Sequence, residues 1–252
     1  MQTILITGCS SGFGLETARY FLDRDWQVIA TMRRPHDVLP RSERLRALAL
    51  DVTDPKSIHA AMEAAGPIDV LVNNAGIGWL NALEGTPMDI ARELFETNTL
   101  GTLAMTQAVL PQFRQRQAGV IVNVSSNVTT APLPLLSVYT ASKAAVNAFT
   151  ESLALELHQF NVRVRLVIPG RAPETRFGET ASTRIQGAGG FPDAYAGLVQ
   201  SVFAAWAREP ESAVTRPLDV AEAVWRAVND PSCPFRLAAG ADAVASSGSA
   251  DE

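Results

Sequence analysis

The feature that most constrains the fold is a regular alternation of short apolar runs with longer amphipathic segments. The apolar runs have strand length and span residues 2–7, 27–31, 46–50, 68–72, 120–124, 162–168 and 236–239. Apolar strands that alternate with helices through short connections favour a parallel sheet with both faces covered. The sequence therefore predicts an α/β fold: one doubly wound domain, with a mostly parallel seven-stranded sheet and helices on both faces.

Length and composition exclude several classes of protein. A chain of 252 residues with net charge −5 has the size of one domain and no positive excess for nucleic acid or an anionic membrane. No apolar run reaches the roughly 18 residues of a membrane span, and the N-terminus enters a strand without a signal-type segment. The two cysteines, Cys9 and Cys233, do not form a disulfide framework. We expect a cytoplasmic protein without a metal site, with a catalytic domain at residues 1–245 and a frayed tail at 246–252.

Small and polar residues follow the predicted strand ends. Right-handed crossovers bring the carboxyl ends of parallel strands to one edge of the sheet, and ligands bind in the crevice there. The residues placed at this edge are Gly8 to Gly14, Arg33, Asp51, Asn73 to Gly76, Ser126 and Pro169-Gly170. The shared edge predicts that they form one site.

The first of these segments is a glycine-rich turn between a strand and a helix. Gly8, Gly12 and Gly14 have the spacing G-x-x-x-G-x-G. Glycines at this place let backbone N–H groups approach a phosphate closely, and the helix N-terminus adds its dipole. The spacing alone is equally compatible with a tight turn.

The residues with candidate chemistry are Tyr139, Lys143, Ser126 and Asn98. The apolar spacing predicts a helix from Ala141 to Phe160, and positions i and i+4 share one helix face, so an ammonium at Lys143 would lower the pKa of Tyr139 from its ordinary value of about 10. Ser126 follows a buried strand. Asn98 occupies the interior of a long helical segment, where asparagine is disfavoured without a structural bond or a role. Taken singly, Tyr-x-x-x-Lys is also common on helix surfaces, and Ser-Ser after a strand is also a helix cap.

Together these segments resemble the short-chain dehydrogenase/reductase family in its compact form of about 250 residues, with a Rossmann fold. The resemblance rests on the glycine turn, Asp51-Val52, Asn73 to Gly76, Asn98, Ser126, Tyr139 to Lys143 and Pro169-Gly170. It implies that Tyr139 is the general acid and that Lys143 lowers its pKa and holds the nicotinamide ribose. It also implies that Ser126 positions the carbonyl oxygen and that Asn98 anchors a water in the proton relay.

The resemblance further implies a dinucleotide site. Met32 stands where NAD-dependent members carry aspartate, and Arg33 and Arg34 offer guanidinium groups for a 2′-phosphate, so we expect NADP(H). Thr175 lies about one place later than the family's threonine after Pro-Gly. The implied cofactor-binding residues are Gly8, Ser10, Ser11, Gly12, Phe13, Gly14, Arg33, Arg34, Asp51, Val52, Asn74, Ala75, Gly76, Tyr139, Lys143, Pro169, Gly170 and Thr175.

Residues 171–217 have weak regular patterns apart from a helix at 192–208, and we expect them to form a substrate-binding loop or lid. Apolar residues near the expected pocket favour a hydrophobic ketone, aldehyde or alcohol as the small-molecule substrate. These residues are Trp79, Leu80, Leu133, Leu135, Leu136, Phe177, Phe191 and Tyr195.

Two other functions remain open at this stage. One is a non-catalytic NAD(P)-binding sensor or scaffold, against which the presence of Asn98, Ser126, Tyr139 and Lys143 argues. The other is a sugar epimerase or dehydratase, which would have another glycine spacing and a larger C-terminal domain.

The helix that carries Tyr139 has more small and apolar surface than one buried face needs. Members of the family usually pair this helix across a two-fold axis, so we expect a homodimer or homotetramer. The small and apolar residues in question are Ala144, Ala145, Ala148, Phe149, Ser152 and Leu153.

Overall fold

A parallel sheet forms the centre of the protein in the computed structural model, which describes residues 1–248 except some side chains at 176–182 and 211. Within these residues the strand order is β3-β2-β1-β4-β5-β6-β7, and each neighbouring pair is parallel. The strands are β1 (Thr3–Ile6), β2 (Gln27–Met32), β3 (Leu45–Ala49), β4 (Val70–Asn73), β5 (Gly119–Val124), β6 (Val162–Pro169) and β7 (Arg236–Ala239). The chain reverses its direction of travel between β1 and β4, so the predicted doubly wound sheet is confirmed.

Helices connect the strands and cover both faces. They are α1 (Gly12–Leu22), α2 (Pro55–Ala65), α3 (Met88–Phe95), α4 (Gly101–Arg116), α5 (Ser137–Leu157), α6 (Arg176–Gly187), α7 (Ala196–Arg208), α8 (Pro217–Asn229) and α9 (Ala241–Gly248). A π-helical turn, Glu96–Leu100, joins α3 to α4. The start of α2 follows from its sequence, because the Asp54 side chain accepts a hydrogen bond from the Lys56 N–H and Pro55 fits the first turn.

The core consists of two apolar layers, one on each face of the sheet. Successive residues of β1 alternate between them: Ile4 and Ile6 pack toward α1 and α8, and Leu5 packs toward α2 and α4. All three side chains are fully buried. Because both faces are covered, the central strands β1, β4 and β5 are buried almost along their whole length, which explains why the sequence shows apolar runs there rather than alternation.

Three sequence predictions need correction. The region 171–217 contains a helix, α6, that was not expected. The Tyr139 helix begins at Ser137, four residues before the expected Ala141. Helix α9 extends to Gly248, so residues 246–248 are helical and not frayed, and residues 249–252 lie outside the described part of the chain.

Candidate functional site

The turns that follow β1 and β4 are joined by hydrogen bonds. The Thr7 hydroxyl accepts from the backbone N–H groups of Asn74 at 3.0 Å and Ala75 at 2.9 Å. In return, the Asn74 side-chain amide donates to the carbonyl oxygens of Thr7 at 2.9 Å and Gly8 at 3.2 Å. The glycine turn and the Asn-Asn-Ala-Gly segment therefore form one backbone framework at the sheet edge.

The glycines of this turn have steric reasons to be glycine. A Cβ atom at Gly8, where φ is +77°, would lie 2.9 Å from the Ala75 Cα. A Cβ atom at Gly14 would lie 2.5 Å from Asn74 Nδ2. Helix α1 begins at Gly12, and Phe13 packs against the core, so the helix N-terminus is fixed beside the turn. A backbone surface without side chains at a helix N-terminus suits the diphosphate of a dinucleotide.

The ends of β2 and β3 carry an arginine and a carboxylate close together. Met32 is buried in the core, and Arg33 and Arg34 after it are exposed. Asp51 accepts hydrogen bonds from the Thr53 N–H at 3.0 Å and the Thr53 hydroxyl at 2.7 Å. These bonds lower the pKa of Asp51, and the charge of Arg33 lowers it further. No acidic side chain occupies the last position of β2.

Tyr139, Lys143 and Ser126 meet where β5 ends against α5. All three side chains are buried. Burial raises the pKa of Tyr139 to about 12, and a hydrogen bond with Ser126 acts in the opposite direction. Lys143 Nζ donates to the Val124 carbonyl at 3.0 Å. Burial lowers the pKa of Lys143 to about 8, and Ser126 rather than Lys143 is the group that lowers the tyrosine pKa.

Asn98 lies in the π-helical turn and is fully buried. Its side chain accepts from the Ile77 N–H at 2.8 Å and donates to the Ile77 carbonyl and the Ser142 hydroxyl, both at 3.0 Å. A Cβ atom at Gly76 would lie 3.2 Å from Asn98 Oδ1 and 3.4 Å from Lys143 Nζ. The structure therefore brings Asn98, Gly76 and Lys143 together, and π-helical turns are frequent at functional sites.

The segment after β6 returns to the glycine turn. Pro169 ends β6, and Thr175 is the residue before α6. The Thr175 Cγ2 lies 3.4 Å from the position that a Cβ atom of Gly12 would occupy. The displaced threonine is therefore a neighbour of the glycine turn, despite its unusual distance from Pro-Gly.

Sequence reasoning missed two supporting side chains. Asn147, buried on α5 one turn after Lys143, accepts from the Ser125 hydroxyl at 2.5 Å and donates to the Thr129 hydroxyl at 2.9 Å. Asp242, on α9, accepts from the Arg171 N–H at 2.6 Å and so holds the turn after β6. The spacing of Asn147 from Lys143 was a usable signal. The contact between Asp242 and Arg171 spans 71 residues, so no local pattern in the sequence indicates it.

The apolar residues expected near the substrate do gather beside Tyr139. Trp79, Leu80 and Leu135 are buried in one cluster with Tyr139, and Leu136, Phe191 and Tyr195 pack against it. Leu133 is exposed instead, and the side chain of Phe177 lies outside the described ones. Most of the predicted residues therefore line the space next to the tyrosine.

Comparison with known proteins gives a family and a cofactor-bound neighbour. A sequence model of the short chain dehydrogenase family matches residues 2–185. A 3-ketodihydrosphingosine reductase from Bacteroides thetaiotaomicron is 41% identical over 174 residues, which cover 67% of this chain and 63% of the relative. The match thus spans less than two thirds of that relative's length.

Solved structures match over nearly the whole chain. A short-chain dehydrogenase from Streptomyces avermitilis has a TM-score of 0.82 and 33% identity, covering 99% of this chain and 92% of its own. The closed form of a serine dehydrogenase complexed with NADP+ has a TM-score of 0.77 and 29% identity, covering 94% of each chain.

Among residues 1–248, no helix has the length and apolar character needed to cross a bilayer. Over the same described part of the chain, no group of three or more His, Cys, Asp or Glu side chains is arranged to hold a metal ion.

Proposed function

Because the chain belongs to the short chain dehydrogenase family, we propose that it is an NADP(H)-dependent oxidoreductase that interconverts a carbonyl group and an alcohol. The observation that carries this proposal is the buried convergence of Ser126, Tyr139 and Lys143 at the end of β5. A protein that only binds a dinucleotide has no need of a hydroxyl pair and an ammonium in that place.

The proposed chemistry divides between cofactor and protein. A bound nicotinamide supplies the hydride chemistry, which belongs to the cofactor. In the direction of reduction, Tyr139 donates its hydroxyl proton to the substrate oxygen, and Ser126 donates a hydrogen bond to the same oxygen. With a pKa of about 8, Lys143 is mostly charged at neutral pH, so it stabilises the tyrosinate that remains. Asn98 keeps the backbone beside Lys143 in place through Ile77.

Three observations support NADP(H) as the cofactor. Arg33 and Arg34 are exposed and available to a 2′-phosphate, and buried Met32 cannot accept a hydrogen bond from ribose hydroxyls. Gly8 and Gly14 let the turn after β1 pack directly on the Asn74 segment at the N-terminus of α1, a setting that suits the diphosphate of a dinucleotide. In addition, the structural neighbour with serine dehydrogenase activity was solved with NADP+.

The substrate that we propose is a hydrophobic small molecule. The walls around Tyr139 are the apolar cluster of Trp79, Leu80 and Leu135. An apolar wall favours an aliphatic or aromatic body next to the reacting carbonyl. The relative named 3-ketodihydrosphingosine reductase supports this class, since its name describes a ketone on a long apolar chain.

The test is turnover with and without the tyrosine hydroxyl. Carbonyl compounds and alcohols are screened by the absorbance of the reduced cofactor, and the best substrate is then given to Tyr139→Phe. We expect kcat to fall at least about a hundredfold while NADPH binding persists. Tyr20→Phe, far from the site on α1, is the matched control and should keep full activity. A Tyr139→Phe rate within a few-fold of the wild type would refute the role.

The non-catalytic alternative predicts a different outcome. A sensor or scaffold would bind NADPH in a fluorescence titration and turn over no compound in the screen. Wild-type turnover that Tyr139→Phe abolishes excludes it.

We also propose a cytoplasmic homodimer or homotetramer formed through α5. Of the residues expected on its free face, Ala144, Ala148 and Ser152 are exposed, whereas Leu153 is buried. Leu155, which the sequence analysis did not single out, is 81% exposed. A monomer mass in light scattering at micromolar concentration would contradict this assembly.

A further inference from the structure

Helices α6 and α7 and the connection 188–195 between them, which we call the α6–α7 hairpin, contribute to the apolar cluster in which Tyr139 is buried. Ile185 of α6 and Val202 of α7 are buried in the same apolar cluster as the tyrosine. The Tyr139 side chain is only 7% exposed. In the proposed reaction its hydroxyl must contact the substrate oxygen, so the hairpin has to move when the substrate enters and leaves.

One buried side chain fixes this hairpin to the rest of the molecule. Asn81, in the connection between β4 and α3, is 1% exposed. Its side-chain amide donates to the Gly190 carbonyl at 2.9 Å and to the Gly85 carbonyl at 3.1 Å. Its Oδ1 accepts from the Ala82 N–H at 2.8 Å. Both hydrogens and the oxygen of the amide are therefore used.

The same residue also holds the loop that leads into the Tyr139 helix. The Asn81 N–H donates to the Leu135 carbonyl at 2.8 Å. Leu135 has a φ of +67°, which disfavours residues other than glycine, and its side chain is buried beside Tyr139. Asn81 thus connects the hairpin, the 81–86 turn and the segment before Tyr139.

The hairpin is built to bend next to this connection. Gly189 and Gly190 have φ values of +93° and +84°, and a Cβ atom at either would meet nothing within 4 Å. Pro192 packs on Gly85, where an added Cβ atom would lie 2.7 Å from the proline ring. Gly189 and Gly190 therefore give the hairpin a flexible connection. Next to it, Pro192 contacts the 81–86 turn, which Asn81 stabilises.

Two further polar links to the hairpin lie nearer to solvent. Arg184 pairs with Glu93 at 2.5 Å, with 23% and 43% of the two side chains exposed. The Tyr195 hydroxyl donates to Glu84 at 3.0 Å in an exposed position. Water and salt screen such links, so the buried amide of Asn81 contributes the larger share.

We propose that Asn81 is a positioning residue that ties the α6–α7 hairpin to the segment before Tyr139, so that the hairpin acts as a substrate lid. This inference rests on the proposed function. It follows that the affinity for the substrate depends on the Asn81 amide, whereas the affinity for the cofactor does not.

The test uses Asn81→Asp, which keeps size and shape but replaces two donors with an oxygen that faces two carbonyl groups. Hydrogen exchange of residues 185–195 should become about tenfold faster, the size expected for lost buried hydrogen bonds. The KM for the substrate should rise about tenfold, while kcat stays within about threefold and NADPH affinity within about twofold. Asn229→Asp removes a similar amide bond, 2.9 Å from the Trp225 carbonyl on distant α8, and should change none of these.

Each outcome has a separate meaning. If the Asn81→Asp protein does not fold, Asn81→Ala, which keeps the backbone bond to Leu135, takes its place in the same measurements. Unchanged exchange and KM would overturn the proposal, and so would a loss of NADPH affinity as large as the rise in KM. Faster exchange in a protein that turns over no compound in the screen would uphold the connection and refute the proposed function instead.

Discussion

Glycines of the turn after β1 and glycines of the α6–α7 hairpin lie in opposite surroundings. In the turn, a side chain at Gly8 or Gly14 would collide with backbone or amide atoms within 3 Å. In the hairpin, Gly189, Gly190 and Gly197 have open space where a side chain would project. The turn needs glycine because two segments approach closely, and this packing restricts its backbone to one conformation. The hairpin uses glycine for backbone freedom, as expected of a part that moves.

The largest effect should come from filling the crowded turn. Gly14→Ala forces a methyl group against the Gly8 carbonyl and Asn74, and we expect a loss of about 3 kcal/mol in the free energy of unfolding. Gly197→Ala, in the first turn of α7, meets no atoms and should stabilise by about 0.5 kcal/mol. Urea denaturation of the two variants checks the comparison, which is wrong if they shift stability equally.

An exposed part of the same site should respond through affinity and not through stability. Arg33→Ala removes a charge-assisted contact with the 2′-phosphate, so we expect NADPH to bind about ten- to a hundredfold more weakly, roughly 1.5–3 kcal/mol. NADH affinity should stay unchanged. Arg208→Ala, at the end of α7, is the control and should leave both affinities as they are. If fluorescence titration gives the wild type equal affinity for NADH and NADPH, the prediction that the residues after β2 select NADP(H) is wrong.

Burial of Lys143 should appear in the pH dependence of stability. Its pKa is lowered from 10.5 to about 8. Between pH 8 and pH 10.5, Lys143 keeps its proton in the unfolded chain and has lost it in the folded chain, so stability rises with pH. Below pH 8 the side chain is charged in both states, and the folded protein bears the full cost of burying that charge. From about pH 7.5 to about pH 9.5 we expect Lys143 to contribute a gain of about 2 kcal/mol, which the buried Cys9 thiol partly offsets because its pKa is raised to about 12.

The chain supplies its own control for this measurement, because Lys56 is exposed and is the one other lysine in the sequence. The pH-dependent gain should vanish in Lys143→Met and persist in Lys56→Met. If the gain in stability persists in Lys143→Met, a group other than Lys143 causes it.

The smallest effect should come from the hairpin's exposed ion pair. Glu93→Gln keeps the shape of the side chain and weakens the contact with Arg184, which should lower the free energy of unfolding by less than about 1 kcal/mol. Thermal unfolding at low and high salt measures it. A loss that exceeds that of Gly14→Ala would reverse the comparison between the two regions.

The sheet and the members of the site could be predicted because local signals agree with the fold. The central strands are short apolar runs, and small or polar residues follow their ends, as Thr7-Gly8 follows β1 and Ser125-Ser126 follows β5. Helix α6 could not be predicted in the same way. Among the side chains of α6 that the structure describes, Ala181 and Ile185 are the buried apolar ones, and two such residues are too few to show a helical period.

Two features of the site could not be predicted from the sequence. The partners of Asn81 lie at Gly190 and Leu135, and the contact with Gly190 spans 109 residues. The pKa of Tyr139 was expected to be lowered by Lys143 one turn away, yet burial raises it to about 12, and burial is also the cause that lowers the pKa of Lys143. Burial depends on what packs over α5 from distant segments, and the spacing of two residues carries no information about that.

The π-helical turn at Glu96–Leu100 has a consequence for how this segment tolerates changes in length. A π turn holds one more residue than an α turn, so it acts as a single-residue insertion in the frame of the α3–α4 helix. Deleting Thr97 would let the turn become regular α-helix, which would keep α3 and α4 in register but move the residues of the turn itself. Asn98 would then leave Ile77 and Ser142, its partners in the wild type. The segment should therefore accept exchanges of side chains at Glu96 or Thr97 far better than the loss of a single residue.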